Sequence, residues 1–253
     1  MNLTDYVRDN FDGMLVFADV HGDYNSFKMA HNFAKSENYF FMSLGDLVDR
    51  GPMPFEVVRD MSNAVYDGRA GLTPGNHDDK FYRYSKGNSV NLSHDSRGTL
   101  YSVGADREKE FLELYVRMLD DKMFSNYFYN FGDFTLVHAA SHPCMWEDTD
   151  QFGNTAKARA LYGETTGEVY PDGYPVRAYG WIDEVPAGKT VIVGHDKQPI
   201  NNVPITEPMI RTNANGGKVI FLDTGCGKGG FLSAVVLLAD KKGFKLEKFV
   251  EFK

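Results

Sequence analysis

Cysteine is scarce in this 253-residue chain, which has only Cys144 and Cys226. Two are too few for a disulfide framework, and they lack the C-x-x-C spacing of a zinc or redox site, so both read as small buried residues. Long apolar runs are missing too. The most hydrophobic stretch, FLSAVVLLA at 231–239, falls far short of the roughly 20 residues that cross a bilayer. The N-terminal MNLTDYVRDNFDG has no apolar segment behind a basic start, so no secretory signal, no membrane partner and a cytoplasmic location are expected. Positive charge is in deficit. A formal net charge of −8 gives no global basic footprint for long DNA, although a local basic cleft stays open. Repeats, low-complexity tracts and an interdomain linker are absent, and a 42% hydrophobic composition is too apolar for a disordered chain. A single folded domain over 1–253 is expected.

What is present is a repeated grammar in the first third: an apolar run, a short polar loop, then helical spacing. MLVFA (14–18) leads into DVHGD, after which Phe27, Ala30 and Ala34 recur at helical intervals. YFFMSL (39–44) leads into GDLVDRGP, followed by Val57, Met61 and Val65, and RAGLTP leads into GNHDD. The alternation predicts an α/β sheet with its polar loops at one edge. REKEFLELYVRMLDD reads as an amphipathic helix. Strand-like runs return at FTLVH, TVIVGH, KVIFLD, FLSAVVLLA and KLEKFVEF without intervening helices, which predicts an antiparallel or mixed second half. Residues 79–105 and 141–189 are polar and show little periodicity, as functional or mobile loops do.

Ligands of open α/β sheets gather beyond the carboxyl ends of the strands. Here those ends carry Asp19 with His21, Asp46, Asn76 with His77, His138, and His195. Carboxylate, imidazole and amide oxygen together suit manganese, iron, zinc or magnesium better than a thiolate site would. An aspartate shared between two ions, with histidines around it, is the arrangement of two-metal hydrolysis, and Asp46 is the candidate bridge. Such a pair of ions could hold a hydroxide for in-line attack on a phosphoryl group. Arg50 would then grip phosphate oxygens, and His77, steadied by Asp49, would protonate the leaving oxygen. Gly45 and Gly51 would let the loop turn tightly enough to gather these groups. Any one Asp or His at a strand end is more often a turn residue. A chance G-D-x-V-D-R-G, however, is on the order of one in ten million per starting position.

DVHGD, GDLVDRG, GNHDD, LVHAA and VGHD stand in the block order of the calcineurin-like metallophosphoesterases of the phosphoprotein phosphatase type, which the chain resembles over roughly residues 14–240. The resemblance implies a four-layer α/β/β/α sandwich with two mixed sheets flanked by helices. It also implies two divalent ions, manganese foremost, with iron, zinc, magnesium or nickel as alternatives. Asp19, His21 and Asp46 match ligands of one ion, and Asp46, Asn76, His138 and His195 match ligands of the other. Arg50 and Asn76 match phosphate contacts, while His77 and Asp49 match the acid and its orienting partner. Asp78 replaces a usual glutamate and HAA a usual His-Gly-Gly, which points away from a dedicated Ser/Thr phosphatase. GNHDDKFYRYSKG, LSHDSRGTL, RALYGETTGEVYPDGYPVRAYGW and LDTGCGKGGFLSAVVL are similar to the phosphatase module of bacterial polynucleotide kinase-phosphatase and to symmetrical diadenosine tetraphosphatases. That comparison makes Arg177 a second phosphate-binding arginine, with a surface salt bridge as the equal alternative, and Asp223 a residue behind the ligands. The expected reaction is hydrolysis of phosphate monoesters on an RNA end or a nucleotide. A phosphoprotein or a dinucleoside tetraphosphate is the alternative substrate.

Several motifs are decoys. Gly225, Gly227 and Gly230 satisfy G-x-G-x-x-G, but a strand-like run follows where a dinucleotide site needs a helix. AGKT at 187–190 lacks the first P-loop glycine, its place being held by Asp183. Asp148 and Asp150 lack the spacing of a calcium loop and read as a solvated turn. His31 reads as a packing residue. His94 and His142 lie in loops without an assigned role, and FYRY at 81–84 reads as packing rather than a base-stacking platform.

Overall fold

The computed structural model describes residues 2–146, 152–171, 173–199, 202–241 and 243–253. Among these, one five-stranded sheet contains β1 (Gly13–Phe17), β2 (Tyr39–Ser43), β3 (Ala70–Leu72), β11 (Leu232–Asp240) and β12 (Gly243–Phe252) in the order β12-β11-β1-β2-β3. A second contains β4 (Phe128–Phe131), β5 (Phe134–Val137), β8 (Thr190–Val193), β9 (Met209–Thr212) and β10 (Lys218–Phe221) in the order β4-β5-β8-β10-β9. A separate hairpin joins β6 (Glu164–Val169) to β7 (Pro175–Ala178). Both large sheets are mixed. β1 pairs parallel with β2 and antiparallel with β11, and β8 runs parallel to both β5 and β10 while β4 and β9 pair antiparallel at the edges.

The apolar runs of β1 and β2 are continuous because both faces are covered. On β1, Leu15 and Phe17 pack toward the helices α2 (Tyr24–Ser36), α3 (Pro54–Tyr66) and α6 (Glu108–Leu119), contacting Phe27, Met61 and Phe111 in one cluster. Met14 and Val16 face the other way and join Leu136, Ile192 and Ile220 of the second sheet. The far face of that sheet buries Val191, Val219 and Phe221 against Ala156 and Ala160 of α7 (Asn154–Tyr162). This gives the four layers α/β/β/α, with α1 (Leu3–Asn10) adding Leu3 and Val7 to the cluster between the sheets.

The polar stretch 79–105 is more ordered than its composition implied. α4 (Asn76–Ser85) begins inside GNHDD, and α5 (His94–Val103) is started by Ser93, whose side chain accepts from Ser96 N. The stretch 141–189 likewise holds α7 and the β6–β7 hairpin. Asp148 and Asp150 lie outside the described residues. No helix among the described residues is long and apolar enough to cross a membrane.

Candidate metal centre

β1, β2, β3, β5 and β8 end at one edge of the sandwich, and each hands its loop a polar group. The backbone there is bent in a way L-residues resist: His21 (φ 48°), Asp46 (53°), Asp49 (70°), Arg50 (75°) and His195 (66°) all occupy the left-handed region. Each such residue costs of order 1–3 kcal/mol and persists only where its surroundings enforce it. Gly45 contributes as expected, with φ +97° and a backbone so close that a Cβ would stand 2.2 Å from Gly75 N. Gly51 acts differently: its φ is ordinary, but a Cβ would stand 2.3 Å from the His21 carbonyl oxygen, so it permits contact between two loops.

The ligand-type side chains are tied from behind at one atom and present another to the cluster. Asp19 Oδ1 accepts from His195 N at 2.7 Å, and Asp46 Oδ1 accepts from His77 N at 3.0 Å. Their Oδ2 atoms turn inward, Asp19 Oδ2 with no hydrogen-bond partner. His21 Nδ1 lies 2.8 Å from the Val48 carbonyl and His138 Nδ1 2.7 Å from that of Leu44. A carbonyl only accepts, so each Nδ1 carries the proton and each Nε2 presents a lone pair inward. His138 Nε2 meets His195 Nδ1 at 3.0 Å and Asn76 Oδ1 at 3.3 Å.

These residues form two groups, Asp19–His21–Asp46 and Asp46–His138–His195, in each of which one ligand-type atom per residue lies within 4.8 Å of the others. Asp46 belongs to both, and Asn76 adjoins the second through His138. The unpartnered Asp19 Oδ2, His21 Nε2 and His195 Nε2 are buried acceptors that a pair of divalent cations would satisfy, so the residues fit the two-ion expectation. Burial drives the pKa of His195 well below its ordinary value and keeps its imidazole neutral, as a metal ligand requires. For Asp19 and Asp46 burial works against the charge, but surrounding donors and histidines hold both below the usual carboxylate range.

His77 and Asp49 lie side by side at the same edge. His77 Nδ1 is 2.5 Å from Asp49 Oδ2, and Asp49 is itself held by Thr99 Oγ1 at 2.6 Å and Ser96 Oγ at 2.9 Å from α5. Burial disfavours a charged His77, yet Asp46 and the Asp49 bond outweigh it and push its pKa up to about 9. Arg50 and Arg177 both line the cavity over the ligand atoms, about 190 Å³ in volume. Arg50 reaches Asp95 at 3.4 Å, while Arg177 donates to the Tyr162 carbonyl and to Tyr174 Oη.

Some participants escaped the sequence reading. Lys197 and Lys228 line the same cavity. Lys228 Nζ sits 3.3 Å from Asp223 Oδ2 and 3.9 Å from Asp19 Oδ2, which places Asp223 one layer behind the ligands. Asp78, noted only as a departure from glutamate, proves to be an organiser. Its carboxylate accepts from Asp46 N (2.6 Å), Gly75 N (2.9 Å), Leu47 N (3.2 Å) and Tyr115 Oη (3.2 Å), which pins the β2 loop to the start of α4. Its burial, with Asp46 beside it, raises its pKa to about 6. The remaining histidines stay outside the centre: His31 packs on Phe27 and Phe41, His94 is fully exposed, and His142 caps Cys144 N. Phe81 is core, stacked on Tyr115. The glycine-rich turn 225–230 leads into β11, and a Cβ on Gly227 would lie 2.6 Å from His21 Cβ, so the turn closes against a ligand.

Comparison with known proteins shows the family. Residues 14–222 match the family described as calcineurin-like phosphoesterase. The chain is 30% identical over 224 residues to the asymmetrical bis(5′-nucleosyl)-tetraphosphatase PrpE of Bacillus subtilis, covering 83% of this chain and 85% of that one. With the protein of the same name from Halalkalibacterium halodurans it shares 28% identity, covering 94% and 98%. A crystal structure provisionally described as a diadenosine tetraphosphatase superposes with a TM-score of 0.59 at 19% identity, covering 96% of each chain. A Saccharomyces cerevisiae serine/threonine phosphatase superposes with a TM-score of 0.50 at 13% identity, covering 99% of this chain and 86% of that one. These last two likenesses concern the fold.

Proposed function

The chain belongs to the calcineurin-like phosphoesterases, a metal-dependent family of hydrolases, and from that premise we propose that it hydrolyses a dinucleoside tetraphosphate with two divalent ions held in the two ligand groups that share Asp46. The observation that carries the reaction class is that sharing, with bare Asp19 Oδ2, His21 Nε2 and His195 Nε2 around it. Asp19, His21 and Asp46 would hold one ion, and Asp46, Asn76, His138 and His195 the other. Manganese is the ion we favour for this oxygen-and-imidazole donor set, with iron, zinc, magnesium and nickel as alternatives. When bound, the ions supply Lewis-acid polarisation of the phosphoryl group and an acidified water as nucleophile.

The chain's own residues supply the rest. Arg50 and Arg177 offer guanidinium forks to phosphate oxygens, and Asn76 an amide. His77 donates its Nδ1–H to Asp49, and the charges of Asp46 and Asp49 favour the doubly protonated ring, whose Nε2–H is then available to the departing oxygen. Water adds across the broken P–O bond, with its hydroxyl on the attacked phosphorus and its proton balancing the leaving group. We favour the tetraphosphate over an RNA-end monoester or a phosphoprotein for two reasons. The relatives are named for that substrate, and Lys197 and Lys228 add cationic charge at the cavity beyond what one phosphate needs. We place the activity in the cytoplasm.

The test is a metal titration of the purified protein on diadenosine tetraphosphate and p-nitrophenyl phosphate. Anion-exchange analysis separates asymmetrical products (ATP and AMP) from symmetrical ones (two ADP), and RNA 3′-phosphates and a phosphopeptide run alongside. Turnover that requires the ion and disappears in Asp46→Asn is expected, with the tetraphosphate the best substrate. Turnover surviving in Asp46→Asn would refute the assigned centre, and a better RNA or peptide substrate would refute the choice of ligand.

A further inference from the structure

A second cavity of about 290 Å³ opens beside the metal centre, and the two share Tyr174, Arg177 and Gln198 in their walls. Tyr170, Tyr179 and Pro175 add further flat surface, and Gln198 and Asn202 bring two side-chain amides. We propose that this cavity is a nucleoside subsite in which the base stacks on Tyr170 and Tyr174 and is read along its edge by Gln198 and Asn202. The proposal rests on the phosphoesterase reading and names what lies at the far end of the substrate.

Three observations point the same way. First, the chemistry of the walls suits a nucleobase: aromatic rings offer a stacking face to any base, and an amide can give and take a hydrogen bond on a purine edge. Second, Arg177 stands at the junction. Its guanidinium lies over the Tyr174 ring at 5.4 Å and donates to Tyr174 Oη at 3.3 Å and to the Tyr162 carbonyl, so it is fixed rather than waving in solvent. Its Nε is buried without a partner among the described residues, a donor available to a ligand between the cavities. A phosphate chain running from the reacting phosphorus to the nucleoside would pass this donor. Third, the floor is built rather than accidental. Tyr179 Oη donates to Asp196 Oδ2 at 2.5 Å, and Asp196 Oδ1 accepts from Gln198 N at 3.0 Å, which fixes the loop carrying Gln198 beside the ligand His195. The hairpin supplying Tyr170 and Tyr174 is closed by Tyr170 N donating to the Tyr174 carbonyl at 2.8 Å. A phosphopeptide has no use for tyrosine rings and side-chain amides this far along the cleft. A nucleotide does.

Two measurements test this, and one does not need turnover. Binding of adenosine, which carries no phosphate, is measured by calorimetry on the wild type, Tyr170→Ala and Tyr170→Phe. Saturable binding to the wild type, weakened roughly 5- to 150-fold by alanine and restored by phenylalanine, is expected for one base–aromatic stack. No adenosine binding to the wild type, or equal binding to all three proteins, overturns the subsite even if the enzyme is active. In the second, kcat/KM for diadenosine tetraphosphate should fall in Tyr170→Ala by that factor relative to kcat/KM for p-nitrophenyl phosphate. An equal fall for both substrates assigns Tyr170 to the fold and overturns the proposal. If the wild type binds adenosine but turns over neither compound, the subsite stands and the hydrolase reading fails.

Discussion

Gly194→Ala is the sharpest probe of the ligand scaffold, because the structure isolates what it would disturb. Gly194 has an ordinary φ, so alanine adds no backbone strain, yet its Cβ would stand 2.4 Å from Asp19 Oδ1 with nothing else nearer than 3.7 Å. To regain van der Waals contact the oxygen must retreat by about 0.6–1 Å. That oxygen accepts from His195 N at 2.7 Å, so the retreat weakens the tie between a residue of one ligand group and a residue of the other. Losing a hydrogen bond to a charged group costs about 1.5–3 kcal/mol. For a chain of this size, with about 2–4 °C of Tm per kcal/mol, the fall should be about 3–12 °C. The catalytic effect should be larger in proportion. Misplacing a catalytic group by about 1 Å can cost on the order of 100-fold in rate, and disturbing the partner of a metal ligand costs about 10–100-fold in affinity or activity. The assay is a manganese titration of steady-state turnover beside a thermal melt in excess metal. A titration midpoint and kcat indistinguishable from wild type would refute the claim that Asp19 and His195 are positioned through this bond.

Three further outcomes are expected. Asp49→Asn, which leaves Ser96 and Thr99 in place but removes the charge facing His77, should lower kcat on the tetraphosphate by about 10²–10⁴-fold. It should affect p-nitrophenyl phosphate less, since that leaving group needs little acid help, and equal losses on both substrates would argue against His77 as the proton donor. Lys228→Met should raise KM for the tetraphosphate by about 10- to 150-fold, the range of one charge-assisted hydrogen bond, as read from initial rates at saturating metal. An unchanged KM would confine Lys228 to its pairing with Asp223. His31 supplies a pH effect: burial against Phe27 and Phe41 holds its folded-state pKa below 6.5, so as pH drops under that value the unfolded chain takes up the proton first and stability declines. Urea melts between pH 8 and 5 should show a shallower decline in His31→Leu than in the wild type, and parallel curves would remove His31 from the account.

The candidate ligand set was legible because each member follows an apolar run by only a few residues: Asp19 after β1, Asp46 after β2, Asn76 after β3, His138 after β5 and His195 after β8. Strand order then brings them together without further information from the chain. What stayed hidden depends on approach across sequence distance. Asp78 meets Asp46 N across 32 positions, and Lys228 nears Asp19 only because the glycine turn folds onto His21. α5 was hard to read for a local reason, since HDSRGTLYSV carries a glycine and buries only Ser96, Thr99 and Val103, two of them polar. Those two hydroxyl residues are the ones that hold Asp49 or stand beside it. Its weak apolar stripe follows from packing against a site instead of a core.

The distribution of charge among the buried aspartates gives the centre its direction. Asp19, Asp46, Asp49, Asp78 and Asp223 are each no more than 2% exposed, a density of carboxylates that could not all stay ionised without compensation. They separate by position. Burial opposes the charge of all five, but donors and histidines around Asp19, Asp46 and Asp49 hold these three below the usual range. Asp78 and Asp223, set behind Asp46 and Asp19, are raised by burial and by those same neighbours. Negative charge is thereby held most firmly on the side of the cluster that faces the cavity, among the atoms suited to cations, and less firmly on the side that faces the protein. Arg50, Arg177, Lys197 and Lys228 stand around the rim of the same cavity. Carboxylates suited to cations thus share one cavity with cationic side chains suited to phosphate oxygens. On the proposed function, a chain of net charge −8 would in this way bind a polyanion at one point without becoming a general binder of nucleic acid.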